Sequence, residues 1–140
     1  MPPTNYSTCP INELTKIIVD EMYQTYFMYG PGLFERIYEA TLEGRLRAKG
    51  LQVERQRQVR ITNEYVQDEP AFYADLIVEN RVVLELKSVD KISRKMFKQV
   101  RSYMKLTNIS VGYLVNFDCA LLKNNMHRIV VNYDKSVHGF

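Results

Sequence analysis

The sequence predicts a small α/β domain, and two patterns carry that prediction. Apolar residues recur at helical spacing in separate segments, and extended segments rich in β-branched residues lie between and after them. The predicted order is two helices, three strands, a helix and then two strands. With 140 residues, 46% of them hydrophobic and 25% charged, the chain matches a single globular domain over residues 1–140.

The two N-terminal helices follow a short lead-in. Residues 1–10 contain three prolines and several turn-forming residues, which predicts a loose segment that includes Cys9. Helical spacing begins at Ile11, and the Gly-Pro-Gly sequence at residues 30–32 interrupts it. Its proline is well placed to open the second helix, and the Lys-Gly pair at residues 49–50 predicts the end of that helix.

Extended segments occupy the middle of the chain. Residues 51–62 indicate one long or broken strand, and residues 63–70 have the turn-forming composition of a loop. Two further strands, AFYADLIV and RVVLELK, are separated only by Glu79 and Asn80, which predicts a short hairpin. Ser93 can cap a helix that runs to about Asn108, and the last two predicted strands are SVGYLVNF and HRIVVNY.

The predicted hairpin brings three charged side chains onto one face. Side chains alternate across a strand, so one face carries only apolar residues and the other carries Asp75, Glu85 and Lys87. If the loop is residues 79–81, Asp75 lies directly opposite Glu85, with Cβ atoms roughly 5 Å apart. Two carboxylates that close repel each other unless a cation lies between them. The apolar face comprises Ala74, Leu76, Val78, Val82, Leu84 and Leu86.

This arrangement suits hydrolysis of a phosphodiester. Asp75 and Glu85 offer the oxygen ligands that Mg²⁺ prefers, and Mn²⁺ is a natural substitute. A bound ion lowers the pKa of a water molecule and neutralises charge on the phosphate, while Lys87 can orient that water or stabilise the transition state. An acidic-x-Lys triplet is common, however, so the pattern also fits a solvated sheet face that carries a Glu–Lys pair.

Two clusters of basic residues predict contacts with a polyanion. Residues 91–105 contain six basic residues and no acidic one, and a second cluster at residues 45–60 is opposed in sequence only by Glu54. Such clusters can follow a phosphate backbone and draw it towards an acidic site, although each also fits a solvated surface. The residues assigned to nucleic-acid binding are Arg94, Lys98, Arg101 and Lys105, on one helix face, with Arg55 and Arg57 from the second cluster.

A sequence signature connects these features to a known family. Residues 30–38 fit the pattern G-x-x-E-x-x-Y at Gly32, Glu35 and Tyr38. With YADLIV, LELK, LVNF and HRIV further along, the chain resembles the GxxExxY proteins, a branch of the PD-(D/E)XK nuclease superfamily, over roughly residues 12–131. The resemblance implies a restriction-endonuclease-like αβββαβ core, with a mixed central sheet flanked by helices.

The resemblance also implies a set of site residues. Glu35 would be an additional metal ligand or would bind a metal-bound water, and Gln99 and Tyr103 would shape the site from the following helix. Members of the superfamily often carry a His three residues before that Gln, where this chain has Met96. Structural interpretations stay open, because a carboxylate is favoured in the first turn of any helix and residues four apart can form an ordinary surface pair. The implied catalytic set is Glu35, Asp75, Glu85, Lys87, Gln99 and Tyr103, and the implied metal ligands are Glu35, Asp75 and Glu85.

We therefore predict a Mg²⁺-dependent, nuclease-like phosphodiesterase that acts on nucleic acid, with DNA favoured over RNA. The alternatives are a catalytically idle nucleic-acid-binding module and a partner-binding subunit of the same fold. The polar N-terminus and the short apolar stretches predict a cytoplasmic protein with no membrane partner. Selectivity would then come from a homodimer or from a partner, because no additional recognition domain is evident.

Overall fold

The computed structural model describes residues 4–131. Over this range the chain forms three α-helices, five β-strands and one 3-10 turn. The elements are α1 (Ile11–Tyr29), α2 (Glu35–Ala48), β1 (Val53–Ile61), β2 (Glu69–Val78), β3 (Val82–Lys87), α3 (Arg94–Thr107), β4 (Val111–Asn116), the 3-10 turn (Leu122–Asn125) and β5 (Met126–Val130).

The strands form one mixed sheet in the order β1-β2-β3-β4-β5. β3 and β4 are parallel, and the other neighbouring pairs are antiparallel. A parallel pair needs a crossover between its strands, and α3 provides it. The structure thus confirms the predicted α/β class and the mixed sheet flanked by helices.

Helices cover both faces of the sheet and form two apolar clusters. On one face α1 and α2 pack over β2, β3 and β4, and the buried ring of Tyr38 stacks on Phe117 with centroids 4.5 Å apart. On the other face α3 packs through Val100 and Met104. A Cβ added at Gly112 of β4 would lie 2.9 Å from the Met104 sulfur, so the glycine allows α3 to approach the sheet closely.

The segment before α1 is packed against the domain, which corrects the prediction of a loose lead-in. Cys9 is buried in the cluster under α1, and Tyr6 packs against the same cluster. Arg81 Nη1, from the β2–β3 turn, donates to the Tyr6 carbonyl oxygen at 2.8 Å. These contacts join the segment to residues far away in sequence, which its composition does not reveal. Residues 1–3 lie outside the described range.

The second helix begins later than the sequence suggests. Pro31 was the predicted opening residue, but α2 starts at Glu35 and residues 30–34 form a loop. Gly32 has φ +104°, which is incompatible with a helix, and the Tyr38 hydroxyl donates to the Gly30 carbonyl oxygen at 2.6 Å. The buried tyrosine therefore fixes residues 30–34 as a loop in front of α2. The predicted end of the helix is confirmed, since α2 stops at Ala48.

The strands follow the predicted segments with two local differences. β1 is continuous, but Gln56 within it has φ +52° and a register shift follows Val59. The predicted last strand is present as β5 up to Val130, and residues 132–133 of that prediction lie outside the described range. No helix within residues 4–131 is long and apolar enough to cross a membrane.

Candidate active site

The β2–β3 hairpin has the register that places the two acidic residues opposite each other. The turn occupies residues 79–81, and the paired residues run from Val78–Val82 to Leu76–Leu84. Continuing that register by one residue puts Asp75 opposite Glu85. Beyond this point β3 stays paired with β4 as far as its last residue, so the site lies where β2 leaves β3.

At this point hydrogen bonds from backbone to side chain replace the backbone–backbone bonds between β2 and β3. The Asp75 backbone N–H donates to Glu85 Oε1 at 3.1 Å, and the Leu86 backbone N–H donates to Asp75 Oδ2 at 2.9 Å. Each carboxyl group therefore accepts a hydrogen bond from the backbone of the opposite strand. Two carboxylates held this close repel each other when both are ionised, so the pair favours a bound proton or a cation.

The titration of the pair reflects its burial and crowding. Glu85 is only 4% exposed, and burial followed by the charge of Asp75 raises its pKa to about 9. Burial also raises the pKa of Asp75, against the opposing effects of the Leu86 N–H and the charge of Lys87. The ammonium of Lys87 lowers the pKa of both carboxyls, which places its charge beside the pair. The structure thus brings the three predicted residues together.

Strand alternation explains only part of this arrangement. Leu76, Val78 and their partners on β3 do pack under α1 and α2, as predicted. Ala74 instead belongs to the cluster under α3, together with Ile77, so the alternation is broken between residues 74 and 77. The interruption coincides with Gln56, which would pair with Asp75 but has a positive φ. The face opposite the predicted apolar one is therefore a second covered face rather than a solvated one.

Two further residues support Asp75, and sequence reasoning missed both. Gln56 Nε2 donates to Asp75 Oδ1 at 3.1 Å and to the two oxygens of Glu39 at 3.0 and 3.1 Å. Glu39, on α2, is 4% exposed and accepts from Arg55 Nε at 2.7 Å. A glutamine in a predicted strand belongs to no recognisable sequence motif. Its link between α2 and Asp75 is therefore visible only in the folded structure.

Glu35 approaches the site from the start of α2. Its Oε1 accepts from the Ser88 backbone N–H at 3.3 Å, just beyond the end of β3. Glu35 and Asp75 line one cavity of about 630 Å³. The complete lining consists of Leu33, Phe34, Glu35, Arg36, Glu39, Gln56, Asp75 and Ser88.

On the α3 side, Tyr103 lies near the acidic pair. Its ring stacks on Phe72 of β2 with centroids 3.7 Å apart. Burial raises the pKa of the Tyr103 hydroxyl, and the charges of Glu85 and Asp75 raise it further. Gln99, one turn earlier, lines a cavity of about 350 Å³ with Tyr103. The structure brings Tyr103 to the acidic pair and places Gln99 beside Tyr103.

The acidic pair has the donor chemistry of a divalent-cation site. Asp75 and Glu85 supply only oxygen atoms, and a cation between them would offset both negative charges. Within residues 4–131, no three His, Cys, Asp or Glu side chains are grouped to hold a metal ion. Mg²⁺ keeps several water ligands and commonly needs one or two carboxylates, so the pair fits this ion.

The two basic clusters differ in the structure. In the second cluster, Arg55 lies 2.7 Å from Glu39 and Arg57 lies 3.5 Å from Glu54, so both assigned residues are in ion pairs. The sequence placed only one acidic residue against this cluster, whereas the fold brings others from α1, α2 and the β1–β2 loop. The remaining pairs are Arg45 and Lys49 with Glu21, Arg47 with Glu43, and Arg60 with Asp68.

The helix α3 carries the other cluster on an exposed face. Arg94, Lys98, Arg101 and Lys105 are all exposed, as the helical spacing predicted. Ser93 caps the helix as predicted, since its Oγ accepts from the Met96 backbone N–H at 3.3 Å. Within residues 4–131, no carboxylate lies within 4.0 Å of the charged groups of Arg94, Lys98 or Arg101.

Comparison with known protein families identifies a match over most of the chain. A family model described as the PD-(D/E)XK nuclease superfamily matches residues 12–129, which include all five strands up to Ile129. No curated protein and no solved structure matches the chain at the significance level applied.

Proposed function

Because the chain belongs to the PD-(D/E)XK nuclease superfamily, we propose that it is a divalent-metal-dependent nuclease. The mixed sheet flanked by helices is consistent with the restriction-endonuclease-like fold of that superfamily. Members typically use divalent metal ions, and Mg²⁺ is the ion we propose here. Assignment to the GxxExxY branch is likewise our proposal, supported by the placement of Glu35 and Tyr38 on α2.

The single observation that carries the proposal is the hydrogen bonding that holds the Asp75 and Glu85 carboxyls at one point of the β2–β3 pair, with Lys87 two residues further along β3. Neighbouring acids, one of them buried, destabilise each other's ionised state. A divalent cation would compensate both charges at once. Asp75 lines the cavity of about 630 Å³, where a ligand can reach it.

Each residue has a defined part in phosphodiester hydrolysis. A bound Mg²⁺ would supply a water of lowered pKa and neutralise charge on the phosphate. Asp75 and Glu85 would hold the ion, and Glu35 would accept a hydrogen bond from one of its water ligands. Lys87 would orient the attacking water or stabilise the negative charge that develops on the phosphate oxygens.

The residues on α3 would act on the substrate strand rather than on the metal. Tyr103 is fixed by its stack on Phe72 and carries its hydroxyl near the acidic pair. Gln99 and Lys98 line the adjoining cavity. The exposed stripe of α3 would attract phosphates, while Arg55 and Arg57 would contribute less because they are already paired.

Cleavage of four labelled substrates tests the proposal: single- and double-stranded DNA and RNA. Each is incubated with the protein and Mg²⁺, Mn²⁺ or EDTA. We expect metal-dependent cleavage of at least one substrate by the parent protein and none by the Glu85→Gln variant. Thermal melts with and without Mn²⁺ should show a stabilising shift for the parent only. If the parent shows neither cleavage nor a metal-dependent shift in melting temperature, the proposal of a nuclease gives way to a catalytically idle protein of the same fold.

A catalytically idle nucleic-acid-binding module is the second candidate. It is favoured by the exposed basic face of α3, which has a use even without chemistry. Under this alternative the protein would bind nucleic acid in EDTA with full affinity, and replacing Glu85 would not change binding.

A further inference from the structure

The cavity that Asp75 lines has an exposed aromatic side chain in its wall. Phe34 lines this cavity together with Glu35 and Asp75. We propose that Phe34 is a stacking site for an unpaired nucleobase of the nucleic-acid substrate. The inference rests on the proposed nuclease function and adds the class of substrate: a strand with an unpaired base close to the scissile phosphate.

Phe34 is unusually exposed for a phenylalanine, since 73% of it is accessible to solvent. The one aromatic or cationic contact of its ring within residues 4–131 is with Arg36, whose guanidinium carbon lies 5.6 Å from the ring centroid. A guanidinium at this distance interacts favourably with an aromatic face, and both groups are surfaces on which nucleobases stack. Phe34 and Arg36 therefore present two flat, stacking-competent groups within one cavity.

The loop that carries Phe34 is held in place from several sides. The Leu33 backbone N–H donates to the Tyr38 hydroxyl at 3.2 Å, and Ser88 Oγ donates to the Leu33 carbonyl oxygen at 2.6 Å. Ser88 follows β3 directly, so the loop is tied to the strand that carries Glu85 and Lys87. A ring presented by a fixed loop loses little freedom when a ligand stacks on it.

The size and lining of the cavity suit a nucleotide. Its volume of about 630 Å³ lies within the range of about 300–1,000 Å³ found for small-ligand sites. Its lining is apolar at Leu33 and Phe34 and acidic at Glu35, Glu39 and Asp75. A nucleotide whose phosphate is held at a metal on Asp75 would place its base in the remaining space. A protein segment would instead need apolar contacts on more than one side.

Only an unpaired base can use this site. Bases inside a duplex are covered on both faces by their neighbours, whereas those of single strands, overhangs and flipped nucleotides expose a face for stacking. Stacking tolerates all four bases, so the site would select for strand state and not for sequence. DNA and RNA share this chemistry, and separate DNA and RNA arms of the experiment distinguish them.

Tryptophan fluorescence measures the proposed stacking directly, because the chain contains no Trp. Phe34→Trp adds a single reporter at the site, and Val130→Trp adds one at the far end of the sheet. Val130 is 65% exposed and pairs with Val111, at the end of β4 opposite to the site. The probes are a 12-nucleotide single strand of DNA, the same sequence as RNA, its blunt duplex, and a strand of abasic sugar-phosphates. All titrations contain Ca²⁺.

We expect the single strands to quench the fluorescence of Phe34→Trp and to leave that of Val130→Trp unchanged. The blunt duplex and the abasic strand should quench neither variant. Phe34→Ala should weaken single-strand binding about 5- to 100-fold, and Phe34→Tyr should restore it. Quenching of Phe34→Trp by the abasic strand, or unchanged affinity of Phe34→Ala, would overturn the inference.

Two further results separate this inference from other possibilities. If the parent cleaves nucleic acid but single strands do not quench the fluorescence of Phe34→Trp, the stacking site is wrong and the proposed nuclease function is retained. If bases quench Phe34→Trp but the parent cleaves nothing, the stacking site stands and the catalytic function is wrong. Sedimentation of the parent and of Phe34→Ala tests whether Phe34 instead mediates self-association. A dimer of the parent that is lost in Phe34→Ala would assign Phe34 to the contact between copies and overturn the proposal.

Discussion

Glu21 and Glu85 are buried to the same extent, each with 4% of its surface exposed, but their neighbours carry opposite charges. Glu21, on α1, lies 2.6 Å from Arg45 Nε and 3.7 Å from Lys49 Nζ. Glu85 lies against a second carboxyl, that of Asp75. The chain therefore pairs one buried glutamate with two cations and places the other beside a second acid and a single lysine. Local charge balance, more than burial, distinguishes a structural acid from a candidate metal ligand.

The same contrast separates the two basic clusters. Every basic residue of the second cluster, at residues 45–60, lies within 4.0 Å of a carboxylate. The charged groups of Arg94, Lys98 and Arg101 on α3 have no such neighbour within residues 4–131. Uncompensated acids and uncompensated bases thus lie on the same molecule, and both match the charges of a metal-bound phosphate backbone.

The largest expected effect is on cleavage. Glu85→Gln removes a proposed metal ligand, and Lys87→Met removes the charge proposed to act at the phosphate, so each should lower the cleavage rate by about 10²–10³-fold or more. Glu21→Gln is the matched control, because it neutralises an equally buried glutamate away from the site. Rates are compared below the melting temperature of all variants. Equal losses in Glu21→Gln and Glu85→Gln would show that the contrast concerns stability alone.

The pH dependence of stability should separate the two glutamates next. The pKa of Glu85 is raised from 4.5 to about 9, so between these values the native state binds more protons than the unfolded state. The free energy of unfolding of the metal-free protein should therefore fall as pH rises from about 5 to 9, by up to about 1.4 kcal/mol per pH unit. Denaturant titrations at several pH values measure this slope.

The two glutamine variants sharpen the pH test. Glu85→Gln should flatten the dependence and stabilise the metal-free protein at pH 8, because it removes the group that must ionise. Glu21→Gln should keep the slope and destabilise the protein by about 1–2 kcal/mol, since charge-assisted hydrogen bonds to partly exposed basic groups are lost. A flat profile for the parent protein would contradict the raised pKa of Glu85.

Metal binding should stabilise the protein by a smaller amount. At a concentration 100 times the dissociation constant, Mn²⁺ or Mg²⁺ would add about 2.7 kcal/mol to the free energy of unfolding. The shift should grow with pH, because the cation displaces a proton from the pair. Glu85→Gln should lose most of it, whereas Lys87→Met should keep or increase it, since it removes a competing cation. Thermal melts with and without Mn²⁺ make this comparison.

The smallest effect concerns nucleic-acid affinity. Reversing Lys98 and Arg101 to Glu should weaken binding to all sequences about equally and reduce its salt dependence, whose slope is about 0.9 per neutralised phosphate of duplex DNA. The matched double variant, Arg57→Glu with Arg60→Glu, alters residues already in ion pairs and should weaken binding less. Binding constants at several salt concentrations decide between them. If Arg57→Glu with Arg60→Glu weakens binding more than the reversal of Lys98 and Arg101, the second cluster rather than α3 is the main phosphate-binding surface.

Local patterns predicted the framework of the site well. The helices and the hairpin follow from hydrophobic spacing and turn residues, and the three-residue loop was enough to place Asp75 opposite Glu85. Strand geometry is short-ranged, so a loop length determines a register a few residues away. The basic face of α3 was predictable for the same reason, because all of its members lie on one helix.

Contacts between distant segments were not predictable in this way. Arg55 counted as an available charge in sequence, but the fold brings Glu39 to it from α2. Gln56, which has a positive φ within β1, links Glu39 to Asp75 across separate elements. The buried position of Cys9 likewise depends on packing under α1, which composition does not encode. Charge compensation is a property of the folded chain, and it decided which predicted residues remain candidates.

Crystals of the parent protein and of Glu85→Gln soaked in Mn²⁺ test the central claim most directly. The account predicts an anomalous difference peak between the carboxylates of Asp75 and Glu85 in the parent, and a much weaker peak or none in Glu85→Gln. No peak at Asp75 in the parent, or an equal peak in both proteins, would contradict the claim that this pair is left uncompensated for a divalent cation.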